Sequence, residues 1–71
     1  MTTATILATS DLAAFLARAG FGVMTNGDVI ELDGGITITT RAAVLWMVNI
    51  DGEQVAVHNN WDDVLVTLRS I

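Results

Sequence analysis

From Ile36 to Ile50 the even-numbered positions hold Ile, Ile, Thr, Ala, Val, Trp, Val and Ile. Alternation of this kind sends one set of side chains to a single face of an extended chain. The pattern predicts one long bent strand, or two strands joined without loss of register. The rival reading, a short helix from Arg41 to Val48 capped by Thr40, is less favoured, because Val44, Trp46, Val48 and Ile50 prefer strands. Asp51-Gly52 follows, a residue pair that favours a tight two-residue hairpin. Such a turn pairs Ile50 with Glu53, Val48 with Val55, and Trp46 with Val57. Val44, Trp46, Val48, Ile50, Val55 and Val57 then form the expected core face. The reverse face is Leu45, Met47, Asn49, Gln54, Ala56 and His58, too apolar for a purely solvated surface and too polar for a core.

The remaining elements flank this ribbon. Leu12, Phe15, Leu16 and Ala19 recur at helical spacing, with Thr9 or Ser10 as the expected cap and Asp11 at the positive end. Gly20 ends that helix, and Phe21 falls where it can fold back on Leu16. Thr2 to Ala8, rich in β-branched residues, is expected as a short edge strand or a tail. Asn26-Gly27 predicts a second tight hairpin, pairing Thr25 with Asp28, Val23 with Ile30 and Phe21 with Leu32, with Met24, Val29 and Glu31 on the far side. Asp33-Gly34-Gly35 turns the chain into Ile36–Thr40. A C-terminal helix is expected from Asn59 or Asn60, with Asp63 three residues past an Asn60 cap and an apolar stripe of Trp61, Val64, Leu65 and Leu68. The expected fold is α+β: a small antiparallel sheet of four to five strands, with an N-terminal and a C-terminal helix on one face. Residues 1–71 read as a single domain.

Composition sharpens this picture. The chain has 71 residues, no cysteine, 52% hydrophobic and only 15% charged residues. So short a chain has little interior, and without disulfides this much apolar surface implies a self-interface or a partner interface. Three basic against eight acidic residues give a net charge of -5, which disfavours direct contact with a nucleic-acid backbone. The start, MTTATILATSDL, lacks the basic region and long apolar core of a secretory signal, and no run reaches membrane-spanning length. The expected location is cytoplasmic.

Chemistry is sparse. His58 is the single histidine, with Asp62 and Asp63 near it in sequence but no nucleophile motif beside it. Those three residues are poorly spaced for a metal, and carboxylates opening a helix complement its dipole. Asp33-Gly34-Gly35 lacks the lysine and spacing of a phosphate loop. No catalytic residue, metal or cofactor is expected. Asp28, Glu31, Asp33, Asp51 and Glu53 all lie at or beside turns; if those turns share one end, they form a negative rim suited to an arginine-lined channel.

Short, cysteine-free, acidic and without a catalytic motif, the chain resembles in style the small anti-defence proteins of bacteriophages, anti-CRISPR proteins above all. The resemblance rests on no shared motif: FGVMTNGDVIEL and WMVNIDGEQVAVHNNWDDVL match none, and no functional residue transfers. It implies inhibition by binding, in the cytoplasm of an infected host, at an effector's nucleic-acid or subunit contact. The expected function is therefore a non-enzymatic protein-binding inhibitor using Leu45, Met47, Gln54, Ala56 and His58 together with the acidic turns. The alternatives are a homodimeric structural domain and, third, a small enzyme using His58.

Overall fold

The computed structural model describes residues 3–42 and 44–71, in the order α1 (Thr3–Arg18), β1 (Val23–Asn26), β2 (Val29–Leu32), β3 (Ile36–Arg41), β4 (Leu45–Ile50), β5 (Glu53–His58) and α2 (Trp61–Ser70). The five strands form one antiparallel sheet in sequence order, β1-β2-β3-β4-β5. This is the α+β architecture that the pattern predicts. Thr2 and Ala43, on which parts of that pattern fall, lie outside the described residues.

The first helix starts earlier than its capping signals suggest. Thr3–Ala8 is helical, neither strand nor tail. Burial accounts for the turn at Ala8 and Thr9: Thr9 is fully buried and Ala8 packs on the core, so the inward stripe of Leu12, Ala13 and Leu16 continues one turn back at the same spacing. Such tertiary contacts outweigh the modest helix propensity of threonine. The helix ends as expected. Gly20 takes φ 100°, its N–H donates to Ala17 O at 3.1 Å, and the Phe21 N–H donates to Leu16 O at 3.1 Å. These two bonds are the Schellman stop, and Phe21 packs against the core cluster that contains Leu16.

Because Phe21 closes the helix, it does not join the ladder with Leu32. Val23 takes that place, Thr25 pairs with Ile30 and Asn26 with Val29, so the turn is Gly27-Asp28 rather than Asn26-Gly27. Gly27 leads it with φ 63°, as a glycine-first hairpin turn requires. The displacement is by whole pleats, so the inward set is unchanged.

Between β3 and β4 the chain reverses direction, with Ala42 at φ 55° and the Val44 N–H donating to Arg41 O at 3.2 Å. Thr40 Oγ1 donates to Leu45 O at 2.9 Å across the same turn. Arg41 ends β3 and Leu45–Val48 belong to β4, so the described residues of this stretch are not helical. Thr40 pairs with Trp46, and even-numbered residues face inward on both strands. Val44, expected in the core, sits in the turn and is 60% exposed.

Asp51 (φ 51°) and Gly52 (φ 85°) make the hairpin that the sequence predicts, and Ile50 pairs with Glu53. Beyond Gln54 the expected register fails. Gln54 opposes Asn49 but Ala56 opposes Val48, leaving Val55 as an inserted residue at a bulge. From there every side chain of β5 points to the face opposite the expected one. Ala56 and His58 join Val48 and Trp46 on the inner face, while Val55 and Val57 are 50% and 44% exposed.

The core is Leu12, Ala13 and Leu16 of α1, Ile30, Ile38, Trp46 and Val48 of the sheet, and Val64 and Leu68 of α2. Both helices therefore lie on one sheet face, α1 against β1 and β2 and α2 against β5. Phe15 and Trp61 bridge them with ring centroids 5.6 Å apart. Asn60 caps α2 as expected by accepting from the Asp63 N–H at 2.9 Å, while its side-chain amide, in place of the backbone N–H of a full capping box, donates to Asp63 Oδ2 at 2.8 Å.

Val55 separates the observed register from the simpler one, and Ile38, inward in both, is the core reference. Ile38→Ala is expected to lower stability by about 2–5 kcal/mol, as for a fully buried side chain, and Val55→Ala by less than about 0.5 kcal/mol, as for an exposed one. Urea unfolding of the two variants checks both; a core-sized loss at Val55 contradicts the bulge.

Candidate functional site

The uncovered face of the sheet carries one complete row of side chains, Met24, Glu31, Thr37, Asn49 and Gln54, across all five strands. Beyond it Asn26 pairs with Val29 on one side, and Thr39, Met47 and Val57 line up on the other. Arg41 and Leu45 form a further pair at the end where β3 turns into β4. Among the first ten of these residues, Glu31 alone is charged. The solvated face of an antiparallel sheet is ordinarily polar, the apolar residues alternating onto the covered side.

Apolar residues gather in two patches. Leu45, Met47 and Val57 form one over β4 and β5, extended by Val44 in the adjoining turn; Met24, 67% exposed, and Val29 form the other over β1 and β2. A polar seam separates them. The Asn49 amide donates to Thr39 Oγ1 at 3.2 Å and approaches Thr37 Oγ1 at 3.5 Å, which holds the three side chains across β3 and β4. The seam gives the middle of the face fixed hydrogen-bonding groups between two greasy shoulders.

Of the residues expected to bind a partner, Leu45, Met47 and Gln54 lie on this open face. Ala56 and His58 do not, because the bulge at Val55 turns them towards the helices. His58 Nε2 lies 2.6 Å from Thr67 Oγ1, a hydrogen bond that ties β5 to α2. The acidic residues divide three ways. Asp33, Asp51 and Glu53 cluster at the end of the sheet where β2 meets β3 and β4 meets β5, Asp28 lies in the turn at the opposite end, and Glu31 stands within the open face. At the first of these ends the Asp51 N–H donates to Gly35 O at 3.0 Å, binding the two acidic turns to each other.

Met24 and Val57 belong to the open face but were not expected together there. Met24 is legible as facing away from its hairpin's apolar side, yet only the strand order places it beside Glu31 and Thr37 in the same row as Asn49. Val57 is assigned to the core by alternation, and the bulge reverses it.

Among the described residues no group of three or more His, Asp or Glu side chains is arranged to hold a metal ion, and no helix is long and apolar enough to cross a membrane. No protein-family model, curated protein or solved structure matches the chain.

The His58–Thr67 bond makes a direct prediction. Thr67→Val keeps the side-chain shape and removes the hydroxyl, so stability should fall by about 0.5–1.5 kcal/mol, the net worth of one such bond. Urea unfolding measures it, and the imidazole signals of His58 should move in the NMR spectrum of the folded variant; unchanged signals contradict the contact.

Proposed function

We propose that the chain is a non-enzymatic protein-binding domain that acts by occupying a surface of its partner. The observation that carries this reading is the open sheet face: both helices lie on the other side, and what they leave uncovered is apolar and hydroxyl- or amide-bearing with almost no charge. Interface centres have this composition, depleted in charged residues and enriched in methionine. Leu45, Met47 and Val57 supply the apolar contact, Asn49 and Gln54 the polar ones, and the acidic turn residues Asp33, Asp51 and Glu53 supply steering at one end.

The style-level resemblance to anti-CRISPR proteins gives this binding a purpose, the blocking of a defence effector's nucleic-acid or subunit contacts in the cytoplasm of a host cell. The division of the acids between the two ends favours contact with a protein surface over broad imitation of a nucleic acid.

A homodimer is the second reading, favoured by the same scarcity of charge. Two copies of a chain carrying a net charge of -5 repel each other least through their least charged sides. Sedimentation equilibrium separates the readings: a monomer at micromolar concentration removes the dimer.

Met47→Lys tests the face itself. The substitution places an ammonium in the middle of the larger apolar patch without touching the core. It is expected to abolish capture of a partner from host lysate while leaving the urea midpoint within the range of ordinary surface substitutions. A folded variant that retains its partner at full strength refutes this use of the face.

A further inference from the structure

The two helices point the same way. α1 runs into β1, and α2 leaves the far end of β5, so both C-terminal turns come to the end of the sheet that carries Asp33, Asp51 and Glu53. Gly20 and Leu68, one from each helix end, line a single cleft there of about 290 Å³, together with Phe21, Ile36 and Asp33. A second cleft, of about 310 Å³, opens on the other side of β1 and β2 against Met24 and Glu31. Gly22, Leu32 and Asp33 are common to both.

We infer that this end of the sheet binds a lysine or arginine side chain of a partner protein, the aliphatic stem lying in the cleft between Phe21, Ile36 and Leu68 and the cationic head meeting Asp33. The inference deepens the protein-binding reading, on which it rests, by naming a group that the partner presents. Size limits the occupant: these clefts stand at the bottom of the range of about 300–1,000 Å³ that small-molecule sites span, which suits a single long side chain. Charge selects it. Asp33 has no hydrogen bond or ion pair among the described residues, Arg18 and Arg69 in the nearby last helical turns included. Two helix C-termini also point to this end, their partial negative charge offset by Arg18 and Arg69 in the last turns. A stem-and-head side chain satisfies both requirements, since lysine and arginine cover apolar surface with their methylenes and keep the head in a polar setting.

Gly22 lies beside this carboxylate: a Cβ there would stand at an ordinary contact distance, 3.5 Å, from Asp33 Oδ2.

The test is an NMR titration of the ¹⁵N-labelled chain with Nα-acetyl-lysine N-methylamide, repeated with the Nε-acetylated neutral analogue. The cation should give saturable shifts at the amides of Gly20, Gly22 and Asp33, and the neutral analogue should bind more weakly. Asp33→Asn should weaken the cation by about two- to fivefold, the span of an exposed ion pair, whereas Asp28→Asn, at the opposite end, should not. Equal response to both probes, shifts spread over all the acidic residues, or unchanged affinity in Asp33→Asn overturns the proposal. Met47→Lys should titrate like the unmodified chain. Loss of partner capture by Met47→Lys with no cation response at Asp33 leaves the sheet face standing and removes the cleft. A cation response with capture unaffected by Met47→Lys removes the face instead.

Discussion

A strand side chain has two directions available, and an inserted residue exchanges them for everything that follows. Val55 is that insertion in β5. By taking no partner of its own, it brings Ala56 opposite Val48 and His58 opposite Trp46, which lets the last strand close against α2 through the bond from His58 to Thr67. It also sends Val57 outward, beside Met47. A regular hairpin would have put Val57 against the helices and His58 on the open face. The composition of both surfaces, and the seating of the second helix, depend on this one irregularity.

Coverage is the second constraint. Among the described residues, seven are buried at less than about one part in fifty, and six of them are aliphatic. They sit between one face of the sheet and two short helices; the remaining apolar residues have nowhere inside to go. A chain this small exposes a large share of its surface, so much of its hydrophobic fraction must lie outside. What varies is where that surplus lies, and here a large part of it lies on the side that no helix reaches.

Local chemistry was the legible part. Asp51-Gly52 adopts the left-handed conformations that its residues tolerate, Asn60 caps α2 through Asp63, and Gly20 with Phe21 stops α1. Each depends on neighbours a few positions apart, which a sequence displays. The inward parity of Ile36, Ile38, Trp46, Val48 and Ile50 was legible for the same reason. The start of α1 was not, because Thr9 is held in the helix by burial rather than by propensity. Nor was the bulge: Gln54-Val55-Ala56 carries no glycine to mark it, and its advantage arises only when α2 is in place. Half of the open face was legible from the Leu45–Gln54 ribbon, whereas its union with Met24 and Val29 required the order of the strands.

The insertion at Val55 also bears on the two free edges of the sheet. β5 is an outer strand, and its unbonded side would otherwise offer an incoming strand a continuous template for fibre growth. An irregular residue in mid-strand breaks that template and adds twist, a common way for natural sheets to discourage polymerisation. β1, the other margin, is only four residues long, too brief to template much. With β5 interrupted at Val55 and β1 only four residues long, neither margin of the bare face presents a long regular edge.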